Sequence, residues 1–429
     1  MRQVHLITII ILLLFKLTTT PLARAWDMDF GMDLMEDFFV ENNYRIDGTP
    51  EPPIQSDAVY NLFSLYPSFT LKAGEALSVH LIGDITWTTE ISGDAENDME
   101  MTAANAFVHW RSTDLSIRAG LIPLVAGRHY LFSNKETGVE VMIRAAPRHY
   151  LTLQAAAIYD RSPFVAAQWE YRFRFLETLS LFGAWFDDRE RLVASAWDII
   201  DSSEASILWM GGTATFFLGN VNVDLTGIIE KGEFSFTLIE KGAQNGAGGM
   251  GRPAHGQKRV DIDLDGYLTH MDLGINIGNR MALSAFCLMA TGDDSDTRDR
   301  FEAFVSLTPN MNRLPVFFEG MGREISEDTI NLIGSERQGI IAPGVVMSYT
   351  PKETVSLSMG LAALFPHEAP ASDRDFYGWE TDLSATWDGN RLGTFFIEAG
   401  LFYPGNYYST DGADMDPAGR VRAGVYMGF

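Results

Sequence analysis

Apolar side chains recur at every second position over much of this chain, with polar ones between them. Leu77, Val79, Leu81, Ile85 and Trp87 alternate with Ser78, His80, Asp84 and Thr86. Val139, Val141, Ile143 and Ala145 alternate with Glu140, Met142 and Arg144. Val165, Ala167, Trp169, Tyr171, Phe173 and Phe175 alternate with Gln168, Glu170, Arg172 and Arg174. Period two is the period of a β-strand whose two faces meet different surroundings. Strands of soluble sandwiches are about 5–6 residues long. These runs reach about 9–12, the length a tilted strand needs to cross a bilayer.

The links between runs are of two kinds. Short polar turns stand at 72–74, 112–113, 147–148, 219–220, 278–279, 351–352 and 388–390. Between them lie longer acidic or Gly-rich links at 92–100, 123–137, 187–203, 233–258, 292–338, 366–375 and 404–417. Short turns at one end and long loops at the other is the pattern of an outer-membrane barrel. The expected fold is all-β, a transmembrane antiparallel β-barrel of about 18 strands with short periplasmic turns and long extracellular loops. The strands are expected at 38–48, 60–71, 75–90, 101–111, 114–121, 138–146, 149–160, 164–175, 177–187, 206–218, 221–232, 259–277, 280–291, 339–350, 353–364, 376–388, 391–403 and 419–429. Residues 299–323 read as part of a long loop, with a further hairpin, and so two more strands, as the alternative.

Residues 1–25 carry Arg2 and His5, then an apolar run from Leu6 to Phe15, then Ala23-Arg24-Ala25. That is the form of a cleaved secretory signal peptide, and the run is too short for a spanning helix of about 20 residues. The barrel is then expected over 26–429. So long a chain without a Pro/Ser/Gly linker exceeds one packed core, which stops growing near about 250–300 residues. A barrel around water removes the difficulty. Formal charge is −25, and Arg2, Lys16 and Arg24 lie in the leader, so residues 26–429 carry −28. Such acidity argues against nucleic acid as a partner, whose phosphates want Lys and Arg. The single Cys287 excludes an internal disulfide and sits in an alternating apolar stretch, the place of a buried or lipid-facing thiol.

Val421, Ala423, Val425, Met427 and Phe429 are apolar at alternate places, and the chain stops on an aromatic. Val425, Met427 and Phe429 thus look like the terminal signal read by barrel-assembly machinery. Trp87, Trp110, Tyr159, Trp169, Trp185, Trp379, Trp387 and Tyr403 fall near strand ends, where aromatic girdles meet lipid and lipopolysaccharide.

The chain also resembles the alginate-export-type outer membrane porins. The resemblance is carried by Leu115–Gly120 leading into Gly127-Arg128, by Thr137-Gly138-Val139-Glu140, and by Tyr267–Gly274. It continues in Ala290–Asp294 ahead of Asp299 and Phe301, and in Glu398–Gly405. It implies an 18-stranded monomeric barrel with a charged, constricted lumen and export of an anionic polysaccharide. Where the family commonly has Gly-Arg-Gln, this chain has Gly120-Leu121-Ile122, which weakens the substrate assignment.

In such a barrel the polar members of each strand face the lumen. The expected pore-lining basic residues are Arg118, Arg144, Arg172, Arg174 and Arg422, with His109 and Arg111 nearby. The expected acidic ones are Glu140, Glu170, Asp224, Glu230, Asp382 and Glu398, with Glu140 and Glu170 able to pair with Arg144 and Arg172. A basic wall opposite an acidic one orients polar solutes and favours anions at a constriction; rigid ion pairing is the competing reading.

Other motifs carry less. Asp261–Asp272 fits the calcium loop D-x-D-x-D-G, but that loop needs flanking helices, and an alternating strand follows. Gly251–Lys258 lacks the lysine of a phosphate loop. Asp293, Asp294, Asp296 and Asp299 read as a solvated acidic loop rather than a divalent-ion site. With no zinc-site or hydrolase motif, no cofactor, metal or catalytic residue is assigned. The function expected is a channel for polar or anionic solutes, with a membrane-embedded hydrolase or a non-conducting surface adhesin as alternatives.

Overall fold

The alternating runs do form strands, and they pair into one closed antiparallel barrel. The computed structural model describes residues 26–42, 58–92, 98–158, 161–173, 176–189, 204–240, 256–294, 297, 299–307, 331–332, 337–369, 374–389, 393–408 and 416–429. The strands are β1 Trp26–Asn42, β2 Ala58–Ala73, β3 Leu77–Ser92, β4 Asp98–Arg111, β5 Leu115–Ala126 and β6 Phe132–Ala146. Then come β7 His149–Ile158, β8 Ser162–Tyr171, β9 Leu176–Asp188, β10 Glu204–Leu218 and β11 Val221–Glu240. β12 runs in two segments, Gly256–Leu264 and Tyr267–Ile277, both paired with β11. β13 Met281–Ala290, β14 Ile340–Lys352, β15 Val355–Leu364, β16 Gly378–Asp388, β17 Thr394–Pro404 and β18 Ala418–Gly428 complete the set. Each strand pairs with its sequence neighbours, and β18 pairs with β1 from Gly419↔Asn42 to Gly428↔Asp33, closing 18 strands.

Several expected boundaries move. β1 begins at Trp26 rather than at Phe38, because it must pair along the whole of β2. β8 stops at Tyr171. The expected link at 123–137 is largely strand, and of the link at 233–258 the described residues, 233–240 and 256–258, are strand, since β5, β6, β11 and β12 extend into them. Within 299–323 only short bridged pieces occur among the described residues, at Arg300–Phe301 and Val305–Ser306. The leader at 1–25, Arg174 and Asp296 lie outside the described residues. Asp261–Leu264 and Tyr267–Asp272 are strand, so the helices a calcium loop requires are not its neighbours.

The outer face shows where the bilayer sits. On β12, Tyr267, Met271, Leu273, Ile275 and Ile277 point outward and are exposed, while Leu268, His270 and Asp272 between them are buried. This apolar stretch spans 11 residues, the length of a tilted membrane strand. Past the Ile229↔Tyr267 pair, the outward places are taken by Lys231, Glu233, Arg259, Asp261 and Asp263. The β11–β12 ribbon therefore projects beyond the apolar belt by nine residue pairs, about 30 Å of contour. Trp87, Trp185, Trp379 and Tyr403 edge the belt at the long-loop end, and Trp110, Tyr349 and Trp387 at the other. Cys287 lies on the outward-facing register of β13, opposite Pro343. The short-turn end uses left-handed residues to reverse the chain, such as Gly219 and Gly278 with φ of 67° and 63°.

A charge in the middle of this belt has no water to meet. Leu273→Arg is expected to lower the stability of the lipid-folded barrel by about 2–4 kcal/mol. Denaturant titration in lipid vesicles checks this; an unchanged midpoint would show that β12 does not face lipid there.

Candidate functional site in the barrel interior

The interior is not an open cylinder, because two segments fold into it. The first is the β5–β6 ribbon. Pairing of β5 with β4 ends at Leu121↔Ala106, but pairing with β6 runs on to Ala126↔Phe132. The freed ribbon bends inward at Gly120, whose φ is +134° and whose absent Cβ would run into the Ala106 carbonyl. At its tip Gly127, Arg128 and His129 all have left-handed backbone, with φ of 59°, 55° and 70°. There the Arg128 guanidinium engages the Asp224 carboxylate on β11. The Tyr130 ring packs against His270 of β12 at 5.3 Å. The Leu121-Ile122 departure from the family pattern falls at this bend, and Ile122 is wholly buried beneath the ribbon.

The second segment comes from the link between β13 and β14. Asp299 and Phe301 carbonyls accept from the amides of Asp263 and Asp265, docking the segment on β12 in parallel. It then crosses the break between the two halves of β12, where Phe304 Cα would lie 2.8 Å from a Cβ on Gly266. Val305 is pinned next: its amide donates to Glu230 Oε2 at 2.8 Å, and its carbonyl accepts from Trp209 Nε1 at 3.0 Å. Finally the Leu307 amide and Ser306 hydroxyl donate to the carbonyls of Tyr130 and Leu131 in the first segment, so the two meet.

Around this meeting place the interior is packed with apolar side chains. Leu131, Phe132, Phe164, Phe186, Trp209, Phe234, Leu268, Phe304, Val305, Tyr377 and Phe402 form one buried cluster. The rule that inward places are polar therefore fails in the long-loop half, where Phe286, Leu288, Ile340 and Ala342 point inward. The buried cluster they join includes Phe301, Ala303, Phe304, Val305 and Leu307 of the inward segment. Toward the short turns the polar pattern returns. Below the ribbon a recess of ≈390 Å³ is lined by Arg118, Arg128, Glu140, Gln154, Gln168, Glu170 and Thr215, among others.

The expected charged residues on this inner face are mostly paired. Glu140 is bound by Arg118 at 2.6 Å and by Gln154 at 3.0 Å. The expected Glu140–Arg144 pair is corrected by register: Arg118 lies directly opposite Glu140, while Arg144 is four places along the same strand. Glu170 does pair with Arg172, at 2.7 Å, and the Arg172 guanidinium also stacks 4.3 Å from the Tyr150 ring. Arg422 lies between Asp37 at 2.8 Å and Glu398 at 3.6 Å. Asp382 is buried opposite Gly400, two residues along the register from Glu398 and on the same face. Asp224 accepts from Thr215 at 3.2 Å as well as from Arg128. Arg144 forms no ion pair among the described residues and is exposed at the short-turn end. Glu230, expected among the inward acids, is wholly buried and accepts from Trp209 and the Val305 amide. Arg128, Asp37 and Trp209 are not among the expected site residues; of these only Arg128 carries a sequence signal, the Gly127-Arg128 step. In the acidic link, Asp293 accepts from the Glu302 amide at 3.2 Å, and burial pushes its carboxyl above the ordinary range.

A side chain at Gly266 collides with backbone, which cannot yield cheaply. Gly266→Val is expected to push the Phe301–Leu307 segment off the wall and raise single-channel conductance in a planar bilayer, with the folded band of the unheated protein on a gel retained. Unchanged conductance would mean that the segment does not narrow the path.

No known family model matches the chain, and neither does any curated protein. Solved structures do match. The outer membrane protein OpdK of Pseudomonas aeruginosa aligns with TM-score 0.53 at 12% identity, over 94% of this chain and 99% of that one. OccK3 (OpdO) of the same organism aligns with 0.54 at 11%, over 94% and 96%. A BenF-like porin from Pseudomonas fluorescens Pf-5 aligns with 0.56 at 11%, over 94% and 98%. At these identities the likeness is one of fold, and the export of alginate that the sequence resemblance implies is not supported by these porins. The chain has the fold of an 18-stranded outer-membrane porin.

Proposed function

We propose that this chain is a channel of the Gram-negative outer membrane, passing small polar solutes by diffusion with a preference for anions. The observation that carries the reading is the polar recess beneath the two inward segments, a space of ≈390 Å³ with Arg118 and Arg128 at its wall. A volume in this range suits one small organic solute. Toward the short turns the inner face adds Arg144, which forms no ion pair among the described residues, and arginines lining a pore favour anions. OpdK, similar in fold, has a solved structure with vanillate; a small carboxylate is the substrate class proposed for this chain as well. The apolar packing in the long-loop half favours small solutes over the polysaccharide that the sequence resemblance implies. Arg118, Arg144, Arg172, Arg174 and Arg422, with Glu140, Glu170, Asp224, Asp382 and Glu398, are proposed as the charged lining. A monomer, seated among lipopolysaccharide and assembled through the Val425, Met427 and Phe429 face, completes the proposal.

Purified protein is expected to form discrete conductance steps in a planar bilayer; a silent bilayer would favour the adhesin or hydrolase alternatives. Replacing Arg172 and Arg174 together with Ala is expected to move the reversal potential in a salt gradient toward cation selectivity. An unchanged reversal potential would leave those arginines a purely structural part. Liposome swelling with uronic acids and neutral sugars then reads the preference directly, and faster entry of the neutral sugars would contradict it.

A further inference from the structure

Two histidines at the short-turn mouth are not used by the reading above. His80 on β3 and His109 on β4 face inward beside one another, with ring centroids 6.3 Å apart. They share a recess of ≈540 Å³ with Asp27, Lys72, Glu75, Ser78 and Arg111. Four of those neighbours are charged at neutral pH, Lys72 and Arg111 against Asp27 and Glu75, and they balance. Beyond the recess Arg118 is paired with Glu140, while Asp29, 3.9 Å from Lys72, leaves the surroundings one negative charge in excess, which one added proton cancels and two reverse. The sign of this mouth therefore rests on whether the two imidazoles carry protons.

Their partners allow either state. His80 Nε2 lies 2.7 Å from Ser78 Oγ and its Nδ1 lies 3.2 Å from Thr70 Oγ1. His109 Nε2 lies 2.9 Å from Ser116 Oγ. A hydroxyl can donate or accept by turning its proton, so each ring can gain a proton and keep these bonds. A carboxylate partner would have held the ring charged, and an amide donor would have held it neutral. Phe107 stacks on His80 at 4.8 Å and fixes the ring in the wall.

We propose that His80 and His109 form a titratable anion site at the short-turn mouth, whose two imidazoles turn from neutral to cationic as pH falls through the imidazole range and so reverse the sign of the mouth. The ligand class is a small monoanion, either a transported carboxylate or chloride itself. This rests on the channel reading, and the experiment separates the two. Anion-to-cation permeability is measured from reversal potentials in a KCl gradient, at pH values about 1.5 above and below the ordinary imidazole value of about 6.5. Exposed carboxylates stay largely ionised over that window. Any buried carboxyl that titrates within it does so equally in a variant without the histidines, so the difference between wild type and variant isolates the imidazoles.

The wild-type ratio is expected to rise at the lower pH by about twofold or more. The His80→Gln, His109→Gln double variant is expected to conduct normally and lose most of that rise. A His80→Lys, His109→Lys variant is expected to hold the higher ratio at both pH values. An equal rise in the Gln variant, or none in the wild type, overturns the site while leaving the channel reading intact. Absence of any conductance in the wild type overturns the channel reading first. If the double variant fails to fold, His109→Gln alone is expected to remove part of the rise, and an undiminished rise there counts against the site.

Discussion

Every backbone amide and carbonyl that enters the apolar part of a bilayer has to find a partner inside the protein. An open sheet leaves two edges unpaired, so closure of β18 on β1 is the constraint on which the rest of this structure depends. Ten residue pairs make that seam, and mutual bonds between Met32 and Phe429 extend it to the last residue. On its inner side Arg422 engages Asp37 and Arg420 approaches Glu41 at 3.4 Å, with Phe39 beneath both guanidiniums at 5.5 and 4.7 Å. A slip of one residue would turn every side chain of the closing strand to the wrong face. These inward pairs and the outward Val421, Val425 and Phe429 oppose such a slip from both sides.

Closure has a second consequence. A ring of this many strands encloses more space than its own inward side chains fill, and loops fold in to occupy it. Polypeptide inside a barrel needs hydrogen-bond partners as much as the wall does. The Asp299–Leu307 segment finds them in β12, in Glu230, in Trp209 and in the β5–β6 tip. Each of the two inward segments passes the wall at a glycine, Gly120 or Gly266, where backbone approaches backbone too closely for any side chain. Among the described residues these segments, rather than the diameter of the ring, set how much open space the interior keeps.

The charges follow the same geometry. Strand order taken alone separates an arginine side from a carboxylate side. In the folded barrel, cross-strand register sets Arg118 against Glu140, and the tip of an inward loop carries Arg128 to Asp224. Acid and base are interleaved where the interior narrows, and at the short turns Lys72 and Arg111 stand beside Asp27 and Glu75. Such pairs hold their side chains in place, which is what a narrow polar passage needs to discriminate among solutes.

The strands are legible because a wall between lipid and interior forces unlike faces on alternate residues, and that period is written locally. The runs around Val139–Ala145 and Val165–Tyr171 announce themselves, as do the short-turn and long-loop ends and the count of 18. Even the stretch at 299–323 reads as loop, and its described part adds no strand to the wall. Alternation reports only that two faces differ, however, not what lies against the inner one. Phe286 and Ile340 face inward because loop residues cover them, and nothing in their own strands says so. Trp209, Glu230 and Val305 meet across 75 and 96 residues of chain, and Arg128 meets Asp224 across another 96. Local pattern thus determined the wall, because each strand answers to the bilayer alone. Only tertiary structure decided the interior, because its contacts join loops and strands that are distant in the chain.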